Sequence, residues 1–390
     1  MTVEDDRGIR IARVEVTVYR APVETPVVNA FGTMTDRPAV IVKVIDRDGA
    51  QGLGEAWCNF PTCGAEHRAR LIETFLGPLL LEQAFDSPDH AYRHLSGRAH
   101  RLALQAAEPG PLAQAIAGLD IALSDLAARR AGRPLWAWLS PEAPARVSGT
   151  GASMPAYASG INPGGAVEQA VGAWDAGFRA FKLKIGFGSE RDLANLAALR
   201  EMLGGEVPIA VDANQAWDLD EAVRMSRALA EHGPHWLEEP LAVDRPDEEW
   251  LRLAQASPVP LAGGENLRGR AAFDRAVRLG ALRVLQPDVA KWGGLSGCIG
   301  VARAALAAGR RYCPHYLGGG IGLLASAHLL AAVGGDGMLE VDSNPNPLRE
   351  GLAAPFPELR DGRFVLGDAP GLGVEPDPEV ERFAVLRLAV

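Results

Sequence analysis

From Arg146 onward the chain alternates short apolar segments of strand character with segments of helical periodicity, and this alternation limits the class of fold open to it. "ARVSGTGASM" reads as a strand, "GGAVEQAVGAWDAG" as a helix closed by Gly177, "FRAFKLKI" as a strand and "ERDLANLAALREML" as a helix. The order continues through "VPIAVDA", a helix opened by Asp218 and Glu221 as a capping box, then "HWLEEP", "VPLAGGE", "LRVLQPD", "RRYCPH" and "GMLEVD". Eight strands with helices between them predict an α/β barrel of the TIM type rather than an open sheet. An open doubly wound sheet wants a phosphate fingerprint after its first strand, and "GTGASM" lacks one.

The first part of the chain has a different grammar. "IARVEVTVYRAPV" alternates, "AVIVKVIDRDGAQGLGEAW" gives two strands around a turn, and helical patterns follow in "AEHRARLIETFLGPLLL" and "PLAQAIAGLDIALSDLAARRAG". Between the first strands, "ETPVVNAFGTMTDRP" reads as a polar loop of the kind that closes over a ligand. The predicted organisation is an α+β capping domain over 1–140, a barrel over 141–355, and a Gly- and Pro-rich segment, 356–390, that packs back on the capping domain.

A formal net charge of -10 with no run of lysine or arginine argues against a nucleic-acid partner. No apolar run reads as the roughly 20 residues needed to span a bilayer, so no membrane role is expected. The opening "MTVEDDRGIR" lacks the apolar core of a signal peptide. The 4 cysteines form no disulfide framework and read as reduced thiols of a cytoplasmic protein.

Ionisable groups then fall at the end of each strand after the first. They are Lys182 and Lys184, Asp212 (with Asn214), Glu238 and Glu239, Glu265, Asp288, His315, and Glu340 with Asp342. Any one of these motifs alone reads as a turn or an exposed strand face. As a set they stand where barrel enzymes build their sites, and buried charges are costly unless paired or bound to a metal.

Asp212, Glu238 and Glu265 end three neighbouring strands, and a cluster of carboxylates without thiols favours a hard cation, Mg²⁺ above all. Asp288 and His315 end adjacent strands, so the carboxylate can fix the imidazole tautomer. Lys182 and Lys184 share one strand face, and the first charge is expected to lower the pKa of the second towards neutrality. The alternative, in which both ammonium groups bind an anionic substrate group, stays open. A cation with a candidate base on each flank suits abstraction of a proton α to a carboxylate, with Glu340, held protonated by burial, as hydrogen-bond donor to the enediolate.

The ordered set KxK, DxN, EEP, GEN, PD followed by GG, PH and a final glutamate resembles the enolase superfamily, specifically its mandelate racemase subgroup, over nearly the whole chain. The resemblance implies a (β/α)7β barrel with an N-terminal capping domain. It implies Asp212, Glu238 and Glu265 as Mg²⁺ ligands, Lys184 as base on one substrate face, and the His315–Asp288 dyad as base or acid on the other. Glu340 resembles the electrophilic donor and Asn214 a polar contact near the metal. The muconate-lactonizing subgroup carries a lysine where Asp288 stands and is disfavoured. The implied substrate is a small sugar acid and the implied reaction its dehydration to a 2-keto-3-deoxy acid. Cycloisomerisation of a hexarate lactone and racemisation or epimerisation of a 2-hydroxy acid are equally permitted. Phe31, Thr33, Trp57, Asn59 and Tyr316 are the expected substrate contacts, and a homo-oligomer, dimer or octamer, is the expected assembly. The contrasting class is a metal-binding barrel scaffold without turnover; such proteins usually lose an acid–base residue, and none is missing here.

Overall fold

A computed structural model describes residues 8–29, 32–140 and 151–390. The N-terminal domain is built on the antiparallel strands β1 (Ile11–Asn29), β2 (Gly32–Asp46) and β3 (Gln51–Ala56). Alternation puts Val14, Val16 and Val18 on one face with Val40, Val42 and Val44, and all six are buried against Leu80, Leu95, Leu119 and Leu123 of the following helices. The stretch read as an open loop is instead hairpin: backbone pairing continues through Val27–Met34, Val28–Thr33 and Asn29–Gly32 after an irregularity beyond Pro22. Its β-branched residues favour extended chain over an irregular loop.

The barrel strands are β4 (Ala152–Ile161), β5 (Phe181–Lys184), β6 (Ile209–Asp212), β7 (Leu237–Glu238), β8 (Leu261–Gly263), β9 (Val284–Leu285), β10 (Arg311–Tyr312) and β11 (Leu339–Asp342). β4 to β10 are parallel and pair in sequence order, and β11 pairs in parallel with the free side of β4. β10 and β11 meet where the Met338 N–H donates to Cys313 Sγ at 3.4 Å. With one helix between each successive pair of strands, this is the (β/α)7β barrel. Of "ARVSGTGASM", residues 145–150 lie outside the described residues, and β4 carries on beyond it to Ile161. Its register is set by Ala158, which pairs with Phe181 on one side and Val341 on the other.

The tail divides. β12 (Glu358–Arg360) and β13 (Arg363–Leu366) form a hairpin that pairs with β4, so this part joins the barrel rather than the capping domain. The rest packs back on the capping domain: β14 (Ala384–Ala389) pairs with β1 through Val16–Leu388 and Val18–Leu386, Tyr19 on β1 donates to Glu381 at 3.0 Å, and Leu372 N donates to Asp125 at 2.6 Å. Among the described residues one helix, Pro109–Arg130, is long and apolar enough to cross a bilayer, and 83% of that apolar stretch is buried inside the protein.

The period of two positions the site. Ala180, Ala210, Trp236, Val284, Cys313 and Met338 form one buried cluster across the barrel. Two residues further on come Lys182, Asp212, Glu238, Gln286, His315 and Glu340, on the same inward parity. An apolar floor therefore lies directly under a charged layer. On β8 the phase shifts by one, through Gly264 at φ +141°, and delivers Glu265 instead.

Candidate active site

Lys182 is fully buried and lies between two carboxylates, with Nζ 2.5 Å from Glu238 Oε1 and 2.7 Å from Glu340 Oε1. Trp236 Nε1 and Gln286 Nε2 donate to the other Glu238 oxygen at 3.1 and 2.7 Å. Lys184, 20% exposed, donates to Asp212 Oδ2 at 2.5 Å and to Asn214 Oδ1 at 3.0 Å. Across the barrel, His315 stands between two acids. Its Nδ1 faces Asp288 Oδ2 at 2.7 Å and its Nε2 faces Glu265 Oε2 at 2.6 Å. Backbone N–H groups of Ala290 and Lys291 hold the second Asp288 oxygen at 2.8 and 3.1 Å.

These surroundings correct two expectations. Burial, the largest influence, opposes the charge on Lys184, but Asp212 and Glu238 together outweigh burial and Lys182, and the pKa is raised, not lowered. Lys182 does push the pKa of its neighbour down, as expected, but the carboxylates outweigh it. Burial alone would keep the Glu340 carboxyl protonated. Lys182 and His315 overcome it and bring the pKa below the usual value, so Glu340 is a carboxylate, accepting from Ser159 Oγ at 2.5 Å and Tyr316 N at 3.2 Å. His315, against the effect of burial, is raised to about 10 by Glu265 and Glu340 and by its hydrogen bond to Asp288. Burial lifts Glu238 to about 7, and burial with Glu265 and Asp212 lifts Glu239 to about 8.

Raised carboxyls beside ionised ones mark a site with more acid than its cations neutralise. Among the described residues no three of these side chains are closed on one point as a ready-made ligand set. Each inner oxygen is instead taken by Lys182, Lys184, Lys291 or His315. The donors are all carboxylate oxygens, buried together, with negative charge to spare, and this chemistry fits a hard divalent cation.

A cavity of about 240 Å³ opens over this layer, with Lys184 and Asn214 on one part of its wall and Glu265 and His315 on another. Trp57 and Asn59 reach it from the capping domain. Tyr316 does not: it is buried, with its hydroxyl beneath Gly318 and Gly322 on the Glu55 side, where the glycines leave room. Phe31 and the Thr33 side chain lie outside the described residues. Gln114, Asn266, Arg268 and Lys291 also line the cavity and were not singled out as contacts by sequence. Gln114 had a visible signal, a polar residue in the apolar helix pattern "PLAQAIAG". A larger hollow of about 810 Å³ lies beside the ends of β4 and β11; it contains Asp342 and Arg349 but none of the candidate acid–base groups.

Residues 13–139 match the family description mandelate racemase / muconate lactonizing enzyme, N-terminal domain, and residues 165–380 match enolase C-terminal domain-like. The chain belongs to the mandelate racemase family of the enolase superfamily. Within this family it is 33% identical to the 3,6-anhydro-alpha-L-galactonate cycloisomerase of Streptomyces coelicolor, covering 95% of this chain and 98% of that one. It is 30% identical to the L-talarate/galactarate dehydratase of Salmonella typhimurium, covering 98% of this chain and 92% of the relative. The solved structure of that dehydratase with Mg and L-lyxarohydroxamate superposes with a TM-score of 0.85, at 28% identity over 100% of this chain and 96% of the other. A mandelate racemase/muconate lactonizing enzyme structure from Bordetella bronchiseptica is 56% identical, with a TM-score of 0.88 over 96% of this chain and 99% of that one.

Proposed function

We propose that this chain is an acid-sugar dehydratase that removes the proton α to a carboxylate with the help of Mg²⁺. The observation that carries the reading is the pair of proton-carrying groups, Lys184 and the Asp288-backed His315, on one cavity above three buried carboxylates. Asp212, Glu238 and Glu265 would hold the metal. Bound there, Mg²⁺ supplies positive charge beside the substrate carboxylate, where negative charge develops as the proton leaves.

The remaining work falls to the chain's own residues. Lys184, in its neutral amine form, takes the α-proton on its face of the substrate, and the pair of electrons left behind forms the enediolate. His315 Nε2 gives a proton to the departing β-hydroxyl, which leaves as water. The enol that remains takes up a proton and becomes the 2-keto-3-deoxy acid. Asp288 fixes the imidazole by accepting from Nδ1. Lys182 neutralises Glu238 and Glu340 from below. Trp57, Asn59 and Asn214 contact the substrate from the wall, with the capping domain setting specificity. A second reading, cycloisomerisation of a sugar-acid lactone, is favoured by the relative from Streptomyces coelicolor, since the same proton abstraction can begin it.

Proton NMR on a panel of mono- and diacid sugars and their lactones, with Mg²⁺ and with chelator, separates these readings. Dehydration gives a 2-keto-3-deoxy product, cycloisomerisation a rearranged ring, and epimerisation an inverted centre. No metal-dependent conversion anywhere in the panel contradicts the proposal.

A further inference from the structure

The glycine-rich turns after β9 and β10 are shaped by acids that come from the capping domain. The helix Gly294–Ala307, which follows Asp288, is preceded by Gly293 and has no side-chain cap of its own. The helix Gly320–Val333, which follows His315, is preceded by Gly319 and has none either. A helix leaves its first four N–H groups without intrahelical partners, and a glycine offers them no acceptor side chain.

A buried carboxyl of the other domain supplies the acceptor in each case. Asp120, on the helix Pro109–Arg130, accepts from Ser296 N at 3.0 Å and from Ser296 Oγ at 2.6 Å. Glu55, on β3, accepts from Gly319 N at 2.6 Å and Gly322 N at 2.9 Å. The glycines are needed for this approach. A Cβ on Gly294 would lie 2.2 Å from Asp120 Oδ2, and one on Gly319 would lie 2.8 Å from Glu55 Oε1.

The chain after Glu55 touches both turns as well. The Trp57 N–H donates to Ala290 O at 3.2 Å, and Asn59 Nδ2 donates to Leu317 O at 2.8 Å. Ala290 N itself holds Asp288 Oδ1 at 2.8 Å. The segment Glu55–Asn59 and Asp120 therefore grip the two loops that present Asp288 and His315.

We propose that Asp120 and Glu55 are positioning residues that cap, from the capping domain, the two barrel helices behind Asp288 and His315, so that the geometry of this pair depends on how the capping domain is docked. The inference rests on reading Asp288 and His315 as an acid–base pair. Misplacement of such a pair by about 1 Å costs on the order of 10²-fold in rate, so small slackening of the loops is enough to matter.

The test uses the full chain with Asp120→Ala and Glu55→Ala, singly and together, and the milder Ser296→Ala. Two readouts need no substrate. Hydrogen–deuterium exchange follows the helix starts over 293–298 and 318–323. Downfield proton NMR follows the His315 Nδ1–H on Asp288, assigned by its loss in His315→Asn. Each capping variant is expected to speed exchange at its own helix start about tenfold, the size expected for a lost cap. It is also expected to shift or broaden the imidazole signal and to lower kcat at least about tenfold with KM within about threefold. Mg²⁺ affinity, read by calorimetry, should stay within about threefold, because the three carboxylates are untouched. If the parent turns over no acid sugar, the functional reading fails, while exchange and the imidazole signal still decide the positioning. Unchanged exchange with an unchanged imidazole signal in the single variants overturns the proposal. Faster exchange with imidazole signal and kcat both unchanged also overturns it, since the acids then only dock the domains. Should the double variant fail to fold, the single variants and Ser296→Ala carry the test.

Discussion

Lys184 and Asp212 sit directly opposite each other in the β5–β6 ladder, and the lysine Nζ lies 2.5 Å from Asp212 Oδ2. The candidate base and a candidate metal ligand thus share one charge contact at the rim of the barrel. Lys182, two residues earlier on the same strand, instead meets Glu238 and Glu340 in full burial. The two lysines of KxK therefore do different jobs: one faces the cavity and the other holds the charged layer together.

Replacing Asp212 with asparagine should weaken Mg²⁺ binding at least roughly tenfold, since loss of a supporting contact alone costs that much and a ligand more. Isothermal calorimetry with the metal alone measures it. Affinity equal to the parent's would remove Asp212 from the ligand set.

Lys182→Met should destabilise the fold by about 3–5 kcal/mol, because it strands two buried carboxylates without their partner. Lys184→Met, at a partly exposed position, should cost less than half as much. Urea unfolding of the two variants gives the comparison, and equal losses would contradict the division of labour.

His328 is buried, accepts from Trp136 N at 3.1 Å through Nδ1, and has Nε2 3.2 Å from Leu372 O. Burial pushes its pKa down to about 4 despite the Leu372 contact. The folded pKa lies below the unfolded one, so its contribution is complete above about 6.5 and is lost as pH falls towards 4. The difference is on the order of 3 kcal/mol. The difference in unfolding free energy between parent and His328→Gln should therefore shrink over that window. A difference independent of pH would show that His328 is not neutral in the fold.

Much of the site was legible because parallel strands alternate and barrel sites gather at strand C-termini. Residues such as Asp212, Glu238 and His315 could be placed from spacing alone. The protonation states could not. Burial predicts a neutral Glu340, and Lys182 at 2.7 Å together with His315 reverses it. Contacts between domains were equally hidden. Asp120 and Glu55 sit in apolar sequence segments far from the turns they meet, and nothing local marks Tyr316 as packed beside Glu55 rather than lining the cavity. The hairpin beyond Pro22 was lost because Gly32 and polar neighbours read as a loop where backbone pairing in fact continues.

The central claim is metal-dependent proton abstraction at a cavity that carries a base, Lys184, on one part of its wall and an acid, His315, on another. Its most direct test is α-proton exchange in D₂O, followed by proton NMR on the parent, Lys184→Ala and His315→Asn, with Mg²⁺ or with chelator, on the acid sugar that the panel identifies. The account predicts loss of the α-proton signal in the parent only with metal, and a rate lower by roughly 10²–10⁴ in at least the variant lacking the abstracting base. Exchange that survives chelation, or that is unchanged in both variants, would contradict it.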